Sequence, residues 1–255
     1  MTFKQLWTRL AQYILPTRCV VCQAVGPEVL CTSCSTGLQQ VGSAYCLRCG
    51  RRRETAFASP DCGECYGQSI GVTRARSCFI YNETGRALLS EFKFQRNIGA
   101  GEYLANQLRR WLKEGWATLF NEPDIQLDIA VPVPLHRRRL QERGFNQSLL
   151  LARRIANWFS LACSSKALVR TKETASQVGL SANQRRINVR GAFQVPAAKR
   201  ELVQGQNVLL VDDLMTTGST LAAGARALKR GGAAMVYGLT LFSTYRGCEL
   251  TDDIG

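Results

Sequence analysis

Val208-Leu209-Leu210-Val211-Asp212-Asp213-Leu214-Met215-Thr216-Thr217-Gly218-Ser219-Thr220 is the stretch on which the reading of this chain turns. Its first four residues are apolar and predict a strand buried on both faces, as in a parallel sheet. Asp212 and Asp213 stand at the strand's carboxyl end, where open α/β sheets bind ligands. Thr216, Thr217, Gly218, Ser219 and Thr220 form a loop of small residues that runs into a helical pattern. Backbone N–H groups at a helix start point outward, and the helix dipole favours an anion there. The hydroxyls of Thr216, Thr217, Ser219 and Thr220 add donors. Acceptors for sugar hydroxyls thus stand beside a cradle for a phosphate. A sugar phosphate satisfies both halves.

A buried strand ending in two acids also occurs in nucleotide hydrolases. Those enzymes need G-x-x-x-x-G-K-[ST] as well, and the 255 residues contain no such run. Downstream, Leu221, Ala225 and Leu228 form one helical stripe. Lys229 and Arg230 complement the helix C-terminus, and Gly231-Gly232 end it. Ala233 to Phe242 is a further apolar strand, so Val208 to Phe242 reads as one β-α-β unit.

Upstream, Asp128-Ile129-Ala130-Val131 predicts another strand, stopped by Pro132-Val133-Pro134. Leu135 to Gln147 then reads as a loop carrying Arg137, Arg138 and Arg143, with a helix from about Ser148 to Trp158. Guanidinium groups suit bidentate phosphate contacts. His136 is the chain's single histidine and reads as a surface residue. Phe79-Ile80-Tyr81 predicts a short strand, and Thr84 a cap for a helix ending near Lys93-Phe94. Gly99-Ala100-Gly101 reads as a turn before an amphipathic helix over Glu102 to Trp116. Leu168 to Thr171 predicts one more strand. The polar stretch Lys172 to Arg190 has the character of a lid or binding loop.

The first 70 residues differ in kind. Met1 to Leu15 is amphipathic, with Phe3, Leu6, Trp7, Leu10 and Ile14 at helical spacing, and predicts a helix packed on its own protein. It lacks the continuous apolar core of a signal peptide, and no run is long enough to cross a membrane. Eight of the eleven cysteines then fall in four C-x-x-C pairs: Cys19/Cys22, Cys31/Cys34, Cys46/Cys49 and Cys62/Cys65. With no secretion signal, a reducing cytoplasmic setting and metal binding are expected rather than disulfides. Two pairs complete a tetrahedron of thiolates around zinc, so two structural ions are expected. Sequential pairing and a cross-braced pairing both satisfy the spacing. A redox C-x-x-C expects one pair at a helix start, not four in succession. Residues 16–70 hold few long apolar segments, so the metal is expected to supply much of their folding energy. Cys78, Cys163 and Cys248 stand alone and read as ordinary core or surface thiols.

The formal net charge of +14 suits a protein that handles phosphates, nucleic acid or both. Clusters lie at Arg51–Arg53, Arg137–Arg139 and Arg185–Arg186. Arg48 and Arg51–Arg53, with Tyr45 and Tyr66 to stack on bases, make the cysteine-rich region a candidate surface for single-stranded DNA.

These blocks resemble one family. The Asp212–Thr220 segment looks like the phosphoribosyl-pyrophosphate (PRPP) motif of type I phosphoribosyltransferases. Several further blocks stand in the order found in the ComF family, the competence-associated relatives of those enzymes that include GntX-like proteins. They are the cysteine pairs, Tyr81 with Phe92-Lys93-Phe94, Val131 to Leu135, Arg143-Gly144-Phe145-Asn146-Gln147, and the series Gln177, Leu180, Arg185, Asn188 and Gly191-Ala192-Phe193. The resemblance implies a type I phosphoribosyltransferase fold over 76–245, a central parallel sheet flanked by helices. A small double zinc ribbon over 16–70 would precede it, with the helix over 1–15 ahead of both. It implies PRPP bound with Mg²⁺, the two acids on the ribose hydroxyls and the loop around the 5′-phosphate. Arg137, Arg138 and Arg143 become candidates for the pyrophosphate. It further implies a role in taking up or using environmental DNA, with single-stranded DNA and uptake proteins as partners. The alternative it leaves is an active transferase of phosphoribose to a base or amine.

Overall fold

A computed structural model of the chain describes residues 17–53, 61–62, 65, 71–94, 97–115, 125–172, 184 and 187–245. The expected helix over 1–15, Tyr66, Arg185–Arg186, Cys248 and most of the Lys172–Arg190 stretch lie outside the described residues.

Five parallel strands form the central sheet: β1 (Arg74–Ile80), β2 (Ile129–Pro132), β3 (Ala162–Cys163), β6 (Asn207–Met215) and β7 (Met235–Ser243), in the order β1-β7-β6-β2-β3. The short β4 (Val169–Arg170) and β5 (Phe193–Gln194) pair antiparallel beside it. The helices are α1 (Thr32–Ser35), α2 (Glu83–Phe94), α3 (Ile98–Gly115), α4 (Arg137–Arg143), α5 (Gln147–Phe159) and α6 (Ser219–Arg230). Strand β6 lies between β7 and β2, which explains its unbroken apolar run. Leu209 and Val211 face a core shared with Leu88, Leu104 and Leu151 of α2, α3 and α5. Val208 and Leu210 face the opposite core, with Leu221, Ala225 and Leu228 of α6. The β-α-β unit read from Val208 to Phe242 is therefore present as β6, α6 and β7.

Three local expectations change. Gly99-Ala100-Gly101 lies inside α3 rather than in a turn. Asn97 accepts from Ala100 N at 3.1 Å and starts the helix ahead of the glycines. Gly101 then packs against the Phe92 ring, where a side chain would not fit. Asn82, not Thr84, caps α2, accepting from Gly85 N at 3.0 Å, while Thr84 is buried in the first turn. The arginine-rich segment after β2 is the helix α4 rather than a loop. Its sequence is almost wholly polar, so no apolar stripe announces it.

The cysteine-rich region docks on the open edge of β1. Val41 N donates to Cys78 O at 3.0 Å, and Ile80 N to Gln39 O at 2.9 Å. Ala75 N donates to Arg48 O at 2.7 Å. These bonds satisfy edge groups that would otherwise face water. Leu30 is fully buried in the same core as Leu88 and Phe92. Burial thus contributes to holding this region in place, beyond what its own sparse apolar content suggests.

Candidate sugar-phosphate site and metal centres

Asp212 and Asp213 are buried, and β6 runs on through Leu214 to Met215 rather than ending at the acids as the sequence suggests. The elements around them are aimed by their caps. Asn146 accepts from Ser148 N at 2.9 Å and so starts α5. Its amide also donates to Val133 O at 3.0 Å, tying that start to the end of β2. The first turn of α5 then meets the acids. Ser148 Oγ donates to Asp212 Oδ1 at 3.0 Å, and Gln147 Nε2 donates to Asp213 Oδ2 at 2.6 Å. Lys93, in the last turn of α2, brings its ammonium to 2.9 Å from the same Asp213 oxygen. Asp213 N donates to Asp212 Oδ1 at 2.9 Å.

Burial, with the adjacent Asp213 carboxylate second, pushes the Asp212 carboxyl up to about 7. The Lys93 charge and the Ser148 hydroxyl act the other way. Arg143 donates to Gln147 Oε1 at 2.7 Å and lies 5.0 Å over the Phe94 ring. Gln147 therefore links the guanidinium to Asp213. Arg143 lies within the acid network, whereas Arg137 and Arg138 sit on the exposed side of α4. Arg138 pairs with Glu142 on its own helix at 3.1 Å. Arg170, half-buried on the Phe193 ring at 5.5 Å, is near enough to feel the Asp212 charge.

The loop that follows is drawn tight. Thr217 Oγ1 and Ser219 Oγ are 2.6 Å apart, and Ser219 N donates to Thr217 Oγ1 at 3.3 Å. Thr244, just past β7, donates from its hydroxyl to Thr216 O at 3.3 Å. Gly218 occupies the N-cap of α6 with φ +77°, a left-handed conformation that favours glycine. A glycine there adds no side-chain oxygen to compete with an anion, and the first turn of α6 carries no acid.

The eight paired cysteines gather in two clusters, Cys19, Cys22, Cys31, Cys34 and Cys46, Cys49, Cys62, Cys65. Within each, the four sulfurs lie within 4.8 Å of one another, so the sequential pairing is the one present. Cys22 and Cys31 sulfurs are 3.7 Å apart, as are those of Cys49 and Cys62. A zinc–sulfur bond of about 2.3 Å in a tetrahedron gives an edge of about 3.8 Å, so both clusters fit structural zinc. Cys46 Sγ also accepts from Cys62 N at 3.2 Å, an outer contact of the type that orients metal ligands. Arg48 pairs with Asp61 at 2.8 Å and donates to Cys65 O at 3.3 Å, bracing the second cluster.

Of the expected base-stacking face, Tyr66 lies outside the described residues and Tyr45 is already covered. The Arg76 guanidinium covers Tyr45 at 4.5 Å, and Arg52 lies 5.8 Å over Tyr245. Arg51 is buried, only 7% exposed. Lys93, Gln147 and Ser148 contact the acids, and the sequence assigns none of them a role. Lys93 and Gln147 stand within the quoted Phe92-Lys93-Phe94 and Arg143–Gln147 blocks, and Ser148 reads only as a helix start.

A parallel sheet with paired acids and a hydroxyl loop at the end of a central strand, joined to two Cys₄ clusters, defines a phosphoribosyltransferase-type domain with a double zinc ribbon. The family model described as phosphoribosyl transferase domain matches residues 146–253, and the one described as double zinc ribbon domain matches 10–66. Competence protein F of Haemophilus influenzae is 31% identical over 87% of this chain and 96% of its own length. DNA utilization protein YhgH of Salmonella typhimurium is 34% identical over 87% of this chain and 95% of its own. Competence protein ComFC of Bacillus subtilis is 30% identical over 84% of each. The chain belongs to the ComF family of competence and DNA-utilization proteins.

Proposed function

We propose that this chain is a PRPP-binding, phosphoribosyltransferase-like protein of the cytoplasm that assists the uptake or use of DNA. The observation that carries the reading is the acid pair Asp212/Asp213, buried in the carboxyl half of β6 and followed, after Leu214 and Met215, by Thr216–Gly218 and the start of α6. The acids receive ribose hydroxyls, and the loop with the start of α6 receives the 5′-phosphate. The donor set also fits Mg²⁺, which takes oxygen ligands and keeps part of its water. Asp212 and Asp213 would hold the ion beside the ribose hydroxyls, where it would offset pyrophosphate charge. The names of the relatives support the DNA half. Binding of PRPP with Mg²⁺ to the purified chain tests the first half.

One observation favours an active transferase as the second reading. Arg143 is fixed beside the acid pair through Gln147, and there it would face a departing pyrophosphate. A prepositioned cation at developing negative charge is a strong catalytic lever. Arg137 and Arg138, one and two residues into α4, join it on pyrophosphate in this reading. Release of pyrophosphate from PRPP, with and without bases and amines, decides for or against this reading.

A further inference from the structure

Arg51 belongs by sequence to the cysteine-rich region, but its side chain ends at the sugar-phosphate loop. Its backbone is fixed by the second cluster. Cys46 N donates to Arg51 O at 2.9 Å, and Gly50 N donates to Cys46 O at 2.8 Å. Gly50 has φ +73°, and a Cβ there would stand 2.5 Å from Ala75 O and 2.6 Å from Arg76 Cα. The Cys46–Cys49 turn is therefore pressed flat against β1, and the next residue is thrown across the sheet edge. Arg51 arrives with one guanidinium nitrogen 3.7 Å from the Cβ position of Gly218, a position that also lies 3.8 Å from the Met215 sulfur.

The start of α6 carries positive partial charge and the guanidinium beside it a full one, so an anion at this turn is attracted by both. Thr217 and Ser219, the chain neighbours of Gly218, bring two hydroxyls to this turn. The ligand chemistry is a phosphate monoester.

We propose that Arg51 is a phosphate-binding residue of the Asp212–Thr220 site, delivered by the second zinc turn, so that the zinc ribbon forms part of the sugar-phosphate site. The inference rests on the phosphoribosyl reading of that site. Arg51 meets the 5′-phosphate at Gly218, the residue from which α6 starts. A charge-assisted contact of this kind is worth roughly ten- to a hundredfold in affinity.

The test uses the full zinc-loaded chain, with ribose 5-phosphate and ribose as calorimetric probes. Arg51→Ala and Arg51→Gln are compared with wild type and with Arg110→Ala on the exposed face of α3. Expected are unchanged zinc content and ribose 5-phosphate binding at least tenfold weaker in the Arg51 variants alone. An Arg51 variant with full zinc and wild-type affinity overturns the inference while the phosphoribosyl reading stands. Wild type that binds no ribose 5-phosphate overturns both. Should both variants lose metal, the Arg51 Nε–H resonance of the wild-type chain decides. It shifts on addition of ribose 5-phosphate but not of ribose if Arg51 meets phosphate, and an unmoved resonance overturns the inference.

Discussion

Lys93 Nζ lies 2.9 Å from Asp213 Oδ2, so the last turn of α2 neutralises an acid in the carboxyl half of β6. Both side chains are largely buried, and Asp213 shares that oxygen with Gln147. Removing one member of a buried pair leaves the other charge uncompensated. Lys93→Met should therefore lose about 3 kcal/mol of stability. Adding Asp213→Asn should restore part of the loss. Denaturant unfolding of the two single variants and the double variant gives the coupling. Strict additivity would show that the pair does not act as one unit.

The carboxyl of Asp212 yields a pH dependence of defined sign. Burial raises it to about 7, far above the range of an unfolded chain, with Asp213 adding to the shift. The native state therefore holds a proton that the unfolded chain has released. Stability from this group falls as pH rises from about 4 to 7 and levels off above. The unfolding midpoint of the ligand-free protein should be higher near pH 5 than near pH 8. Asp212→Asn should flatten that slope. Equal slopes in wild type and variant would remove Asp212 as its origin.

Much of this arrangement is legible in the sequence, and the remainder is not for physical reasons. The Val208–Phe242 unit is legible because apolar run, acids, small-residue loop and helical stripe follow one another without interruption. The cysteine clusters are legible because C-x-x-C is itself the geometry of a metal turn. Their pairing order is not, since both orders satisfy the spacing. Lys93, Gln147 and Ser148 converge on the acids from two helices, and such convergence is a tertiary fact. Arg51 misleads for a related reason. Read locally, it is one of three surface arginines. Only the docking of Gly50 on β1 turns it inward. Helix α4 escapes because a short exposed helix needs no apolar face.

Metal content follows from the clusters. Protein purified without chelator should carry two zinc ions per chain, one for each group of four cysteines. Cys46→Ser should leave one ion, and with it a less stable β1 edge, because Cys46 holds both Arg51 and Gly50 by backbone bonds. Elemental analysis with thiol counting checks this. One ion in wild type together with four rapidly alkylated thiols would contradict the two-site arrangement.

Single-stranded DNA binding, if it proceeds through phosphate contacts, should show log K falling linearly with log salt, at about −0.7 per phosphate. Arg52→Ala with Arg53→Ala should make that slope shallower. Arg51→Ala should leave it unchanged, because Arg51 is buried. Salt titrations of an oligonucleotide against each variant separate these outcomes. An unchanged slope in the Arg52/Arg53 variant would take this edge out of the DNA surface.

The central claim is that Asp212 and Asp213 hold the ribose of PRPP. Calorimetric titration of PRPP with Mg²⁺ into the wild type and into the Asp212→Asn, Asp213→Asn double variant tests it most directly. Asparagine keeps the shape and removes the charge. Charge-assisted hydrogen bonds contribute about 1.5–3 kcal/mol each. The wild type should bind, and the double variant should bind at least roughly tenfold more weakly while unfolding as cooperatively as before. Equal affinity in the two proteins, or no binding by the wild type, would contradict the assignment.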